Sequence, residues 1–186
     1  MGLICSCAAD KGNEGGTIPY LSEDEKLAIK ECWCTMHKES PELEVIFLRM
    51  MEHRNPLARL VMGAANQMMF GQVEMKMRAQ FKSIVNLFHV LIMTYNLDDS
   101  EVTVSCELFG QDDAEEEIRN GGDRCQIQEV SLFLQMIVAY LIETQHHNSH
   151  LIIAWKKLGT NIIRSMKDGA YWAEERWGVH LNNHLD

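Results

Sequence analysis

The residues with the clearest chemical potential stand at the N-terminus, where the chain reads MGLICSC. Once Met1 is removed, Gly2 and Ser6 have the spacing of the N-myristoylation signal, and Cys5 and Cys7 lie beside it as acceptors for palmitate. One myristoyl chain holds a protein at a membrane only reversibly, so stable anchoring requires a second lipid or a basic patch. We therefore expect lipid at Gly2 and at Cys5 or Cys7, with membrane lipid as the partner.

The charge balance narrows how the chain can reach a membrane. A formal net charge of -10 argues against nucleic-acid binding, which needs clustered Lys and Arg, and against adsorption to anionic lipid. Lys11 is the only cation before Lys26, so the N-terminal segment carries no basic patch. The sequence shows no secretory signal and no apolar stretch of the roughly twenty residues that span a bilayer. We expect a covalently anchored protein on the cytoplasmic face of a membrane, the plasma membrane in particular.

The six cysteines are expected to be reduced thiols in that compartment. Cys32 and Cys34 are two residues apart on a predicted helix, so they should point to different faces and not pair. The chain contains no C-x-x-C motif, which removes the thioredoxin-type and zinc-knuckle interpretations.

Apolar residues recur at helical spacing in four long stretches, which predicts an all-α body. Residues 8–20 are rich in Gly and polar side chains, so residues 1–20 are predicted to form an acylated flexible tether. Ser22 before three acidic residues predicts a capped helix start. The acidic run Asp112–Glu117 predicts a solvated helix face. The four apolar stretches cover residues 43–51, 81–95, 130–141 and 151–166.

The order of these elements resembles the globin family, and in particular the N-terminally acylated nematode-type globins. Leu21-Ser22-Glu23 with Trp33 is similar to the first globin helix with its buried Trp, and Ile46–Arg49 leading to Pro56 resembles the second helix and the proline that opens the third. Ala154–Leu158 followed by Met166–Gly169 looks like the last helix. The resemblance implies a globin-like domain over residues 21–171, with 172–186 as a C-terminal tail.

The family resemblance also implies haem b, whose iron in globins is held by a proximal His. No histidine occurs between His89 and His146. Alignment of Leu108-Phe109-Gly110 with the family's Leu-Gly pair places Asp113 at the proximal position. A hard carboxylate is a poor ligand for haem iron, so a solvated acid is the favoured interpretation of Asp113. Cys106 and Cys125 are thiolate alternatives, although a small buried or surface thiol is the more usual role.

On the distal side, a register in which Ile84 and Phe88 face the haem pocket places Gln80 one turn earlier, where its amide could donate to a bound gas ligand such as O2. The alternative register places Lys82 there, and the hydrophobic stripe favours Gln80. His89 is an alternative haem ligand, against the usual role of such a His as a partly buried packing residue.

His146, His147 and His150 have spacings that suit zinc on a helix, but a polar corner between two helices is the favoured interpretation, and no metal site is predicted. No nucleophile–base pair, phosphate loop or recognisable pair of carboxylates indicates an enzyme.

Two functions follow from the resemblance and the anchor. The first is a membrane-anchored, haem-linked gas or redox sensor that reports to a signalling protein, since bulk oxygen storage gains nothing from a membrane address. The alternative is a haemless globin-fold interaction or signalling module, which accounts for the missing proximal His.

Overall fold

The computed structural model describes residues 20–38, 40–54, 67–120, 126–145 and 148–177, with side chains undescribed at a few of the ends. Most of these residues lie in helices and none of them lies in a strand, which confirms the all-α prediction. The helices are α1 Glu23–Lys38, α2 Ser40–Arg54, α3 Gln67–His89, α4 Asp99–Asn120, α5 Gln126–Thr144 and α6 Ser149–Trp177, with a π-turn, Val90–Thr94, continuing α3.

The start of α1 is fixed by a reciprocal capping box. The Glu25 backbone N–H donates to Ser22 Oγ at 3.2 Å, and the Ser22 N–H donates to Glu25 Oε2 at 2.9 Å. This arrangement satisfies donors that the first helical turn would otherwise leave open. Lys157 of α6 donates to the other carboxylate oxygen of Glu25 at 2.6 Å. The predicted cap is present, and it also joins the first helix to the last.

The core is centred on four aromatic side chains from four different helices. Trp33 of α1, Phe88 of α3, Phe133 of α5 and Trp155 of α6 are fully buried. Their ring centroids lie 5.0 to 6.3 Å apart in the contacting pairs, within the range of favourable aromatic contacts. The Trp expected to be buried on the first helix therefore lies at the centre of the molecule.

Helices α4 and α6 form the most extensive helix–helix contact among the described residues, and glycine residues allow their backbones to come close together. A Cβ atom added at Gly169 would lie 1.9 Å from the Glu107 carbonyl oxygen, and one at Gly110 would lie 1.9 Å from the Met166 carbonyl oxygen. Cys106, Ala114, Ala170 and Ala173 extend this contact as small buried side chains. The two backbones therefore touch at this crossing, which no larger residue would permit.

Two ion pairs join α2 to α5. Arg49 binds Glu143 through two hydrogen bonds of 3.2 and 2.7 Å, and Arg54 contacts the buried Glu129 at 2.8 Å. Helix α5 is also long and apolar enough to cross a bilayer by length and composition alone, so the expectation that no segment meets that test was wrong. Much of its apolar surface packs against the other helices, and this burial accounts for the composition.

Both ends of the folded body extend further than the sequence predicted. Tyr20, assigned to the tether, donates its backbone N–H to Asp99 Oδ2 at 2.8 Å, and its hydroxyl accepts from the Asn161 N–H at 3.2 Å. Helix α6 continues to Trp177, with Ala173 and Glu174 buried beyond the predicted boundary at residue 171. The remainder of the tether and of the tail lies outside the described residues.

The acidic run on α4 is not a uniformly solvated face. Asp112 and Glu116 are exposed, but Asp113 is only 5% exposed and Ala114 is fully buried. Six consecutive residues cover more than one helical turn, so part of the run must face inward. The interpretation of Asp113 as a solvated acid was therefore wrong.

Candidate functional site

An open pocket of about 340 Å³ lies between α3, with its π-turn, and α4. Its volume falls at the lower end of the range of small-molecule pockets. Apolar side chains dominate the lining, and a few hydroxyl and amide groups stand among them. The described lining residues are Ser83, Asn86, Leu87, Val90, Leu91, Tyr95, Ser105 and Phe109.

The pocket closes at one end where the chain turns from α3 into α4. The π-turn ends in a bond from the Tyr95 N–H to the Val90 carbonyl, and the Leu97 N–H donates to the Leu91 carbonyl. Asn96 and Leu97 both have positive φ, 59° and 57°. That conformation is unfavourable for a leucine, and burial of the Leu97 side chain in the core compensates for it. Tyr95, which precedes this tight corner, lines the pocket.

The register predicted for α3 directs Ile84 and Phe88 inward, and both are buried in the central core, where Phe88 contacts Phe133 and Trp155. The pocket is lined instead by the neighbouring positions, such as Leu87. The reason is that the most apolar stripe of a helix faces the protein core rather than a half-open cleft.

Gln80 is partly buried and does not belong to the described lining, whereas Lys82, the alternative, is exposed. The lining residue on this part of α3 is Ser83, which was not among the predicted site residues. A serine in this sequence position has no feature that marks it as a pocket residue. Only the direction in which α3 faces the pocket identifies Ser83 as part of the lining.

The proximal candidates on α4 do not reach the pocket. Neither Asp113 nor Cys106 is part of the described lining. Cys106 is fully buried, and burial raises the pKa of its thiol to about 12, so it is not a thiolate at neutral pH. Cys125 lies outside the described residues.

His89 lies on the α1 side of α3. Its Nδ1 accepts a hydrogen bond of 3.4 Å from the Trp33 indole, and its ring lies 4.7 Å from that of His37. The residue is partly buried, as expected for a packing histidine, and is not in the described lining of the pocket.

These residues do not fit a globin-type haem. Globin haem requires an imidazole, and the other common iron ligands are thiolate and thioether sulfur. The described lining contains none of these groups. Among the described lining residues, only Tyr95 has a side chain that holds haem iron in other proteins, through its phenol oxygen.

A second open groove, of about 440 Å³, lies at the end of α6 and is lined by Gln111, Trp172, Glu175 and Arg176. Trp172 is 56% exposed, and Tyr171 and Trp177 are exposed to a similar degree. The Tyr171 ring packs edge-on against Trp172, and its hydroxyl donates to Glu175 at 2.6 Å. Large aromatic side chains are thus held in place while facing solvent.

Other predicted sites fall partly or wholly outside the described residues. Gly2, Cys5 and Cys7 are among these, as are His146 and His147, while His150 is exposed. Within the described part of the chain, no three His, Cys, Asp or Glu side chains converge to hold a metal ion. Cys32, Cys34 and Cys106 are free thiols, which confirms that Cys32 and Cys34 do not pair.

Comparison of the chain with protein-family models, with curated proteins and with solved structures gives no match, so the chemistry of the site rests on its own residues.

Proposed function

We propose that the chain is a lipid-anchored, globin-like interaction or signalling module that does not carry a globin-type haem. The globin-like body is supported by the all-helical architecture and by the burial of Trp33 on the first helix. The anchor is supported by Gly2 with Cys5 and Cys7, together with the acidic charge that leaves covalent lipid as the membrane device.

One observation favours the haemless role over the haem-linked sensor. The cleft between α3 and α4 has no imidazole or sulfur ligand in its described lining, while His89 and Cys106 are directed elsewhere. A cleft of this kind lacks the ligand by which globins hold iron.

The aromatic end of α6, defined as Tyr171, Trp172 and Trp177, supports an interaction role. Exposed Trp and Tyr side chains that are ordered before binding are typical of protein-binding hot spots. The Arg119 guanidinium lies 6.0 Å from the centre of the Trp177 ring, a cation–π contact. Arginine, like Trp and Tyr, is common among the residues that dominate binding at interfaces. Charges of both signs border this surface, since Arg119 and Arg176 contact Glu115 at 2.8 and 3.6 Å, and such a polar rim around aromatic residues is typical of protein interfaces.

The visible spectrum of the purified full chain with added haem tests the proposal. We expect no sharp Soret band that survives gel filtration, because unligated haem partitions away from the protein. A band that persists at one equivalent would overturn the haemless assignment.

The haem-linked gas or redox sensor remains as the second candidate, because the phenol of Tyr95 faces the pocket. In that case the persistent band should disappear in Tyr95→Phe and should survive in His89→Gln and Asp113→Asn. Binding of O2 or another gas to the haem would then be the sensed event, and the signalling partner would respond to the gas-bound form.

Fractionation of cells that express the chain tests the anchor. Gly2→Ala should move the protein from the membrane fraction to the soluble fraction, and Cys5→Ser with Cys7→Ser should weaken retention because one acyl chain binds reversibly. Lys11→Ala serves as the control and should leave retention unchanged. Membrane retention of Gly2→Ala would contradict the myristoylation claim.

A further inference from the structure

A row of polar and sulfur contacts joins α1 to the end of α3 and its π-turn. Lys30 Nζ donates to Asn96 Oδ1, which lies just past the π-turn. One turn further along α1, Cys34 Sγ lies 3.8 Å from Met93 Sδ. The next contact is that of the His37 and His89 rings. These contacts fix an antiparallel register that places Cys34, His37, His89 and Met93 on one patch.

We propose that Cys34, His37 and Met93 form a binding site for Cu(I). Cys34 and His37 are three residues apart on α1, so they share a face and lie one above the other. Met93 approaches from α3 and brings its sulfur next to that of Cys34. The three side chains offer a thiolate, a thioether and an imidazole.

The donor set selects the metal. Thiolate and thioether ligands favour Cu(I), and imidazole also suits copper, whereas a thioether is not a ligand that zinc sites use. Two sulfur atoms bound about 2.3 Å from one ion at a trigonal angle stand about 4 Å apart. The distance of 3.8 Å between the two sulfur atoms matches that arrangement without movement of either helix.

The π-turn is the local feature that brings Met93 into place. Val90–Thr94 closes with a bond from the Tyr95 N–H to the Val90 carbonyl at 3.0 Å, five residues apart. π-turns inside α-helices re-aim side chains and occur frequently at functional sites. Here the turn buries Leu91 and Ile92 and leaves Met93 45% exposed beside Cys34.

His89 acts as a positioning residue and not as a ligand. Its Nδ1 accepts the hydrogen bond from Trp33, and its ring lies against that of His37 at 4.7 Å. This ring contact limits the orientations of the His37 side chain, which shares a face of α1 with Cys34. The exposure of His37 and Met93 leaves the ion open to exchange with solvent or a partner.

Binding requires no redox chemistry. The Cys34 thiol releases its proton to water as the sulfur binds Cu⁺, while Met93 sulfur and a His37 nitrogen each donate a lone pair. Cu⁺ takes the place of the thiol proton on the Cys34 sulfur, so the net charge of the site does not change. Cu(I) is the appropriate probe because the thiols in a cytosolic compartment are reduced.

Competition with the Cu(I)–bicinchoninate complex under anaerobic conditions tests the proposal. The protein is the full chain with Cys5→Ser and Cys7→Ser, so that the N-terminal thiols do not bind the ion. We expect one equivalent of Cu(I) to be withdrawn, with X-ray absorption showing two sulfur atoms and one nitrogen at the metal. Cys34→Ser, Met93→Leu and His37→Gln should each weaken Cu(I) affinity by at least about tenfold.

Met75→Leu is the matched control, since Met75 is an exposed methionine on the same helix, and it should leave affinity unchanged. Circular dichroism establishes that each variant is folded. His89→Gln should lower affinity while leaving the two sulfur ligands in the absorption spectrum. The proposal is wrong if the parent chain withdraws no copper, if Met93→Leu binds as tightly as the parent, or if the metal shows only nitrogen ligands.

Discussion

Replacement of Gly169 by alanine tests the claim that α4 and α6 touch through their backbones. The added Cβ would lie 1.9 Å from the Glu107 carbonyl oxygen, 2.6 Å from its carbon and 2.7 Å from its Cα. These are backbone atoms, so no side chain can rotate away. A carbon–oxygen contact is comfortable at about 3.3 Å, so the helices would have to separate by about 1.4 Å at their crossing.

Two opposing effects set the size of the change. Alanine has a higher helix propensity than glycine by about 1 kcal/mol, which by itself would stabilise α6. Overpacking costs typically about 1–3 kcal/mol, and a rigid backbone neighbour places this site at the upper end. We expect a net loss of about 2 kcal/mol, which for a domain of this size lowers Tm by about 4–8 °C.

Thermal and urea denaturation followed by circular dichroism measure the change, and Gly159→Ala on the same helix is the control. A Cβ at Gly159 would meet only the Leu134 side chain, at 3.3 Å, and that side chain can move. Gly159→Ala should therefore be neutral or stabilising. If Gly169→Ala is as stable as the parent or more stable, the close crossing is not a property of the folded protein.

Three further results are expected. Glu25→Gln should destabilise the chain by about 1 kcal/mol at neutral pH, through loss of the charged hydrogen bond from Lys157. That bond lowers the pKa of Glu25 from 4.5, so the stabilisation is present above this value, and the difference between variant and parent in urea denaturation should disappear as pH falls through the lowered pKa. Iodoacetamide at mildly alkaline pH should label Cys34 and spare the buried Cys106, as measured by peptide mass spectrometry, and equal labelling would contradict the burial. Phe88→Ala should cost about 3–5 kcal/mol in the same denaturation assay, whereas a cost below about 1 kcal/mol would place Phe88 outside the core.

The helical class and several local features could be predicted from the chain because they depend on neighbours in sequence. The cap at Ser22 is an example, since the residues that form it are three positions apart. The free thiols of Cys32 and Cys34 are another, because helical geometry alone separates their faces.

The pocket could not be predicted in the same way. Both the core and the cleft take apolar residues from α3, and periodicity does not distinguish them, so the stripe through Ile84 and Phe88 gave no sign that Leu87 lines the cleft. The burial of Asp113 was missed because an acidic run suggests solvent whichever way the helix is turned.

By itself, then, the sequence determined that the body is helical and where the first helix begins. Only the tertiary structure decided which face of α3 meets the core, that α4 and α6 touch at Gly110 and Gly169, and that Cys34 meets Met93. The physical reason is distance along the chain. Caps and amphipathic stripes arise within a few residues, whereas the direction of each face depends on how helices far apart in sequence pack together.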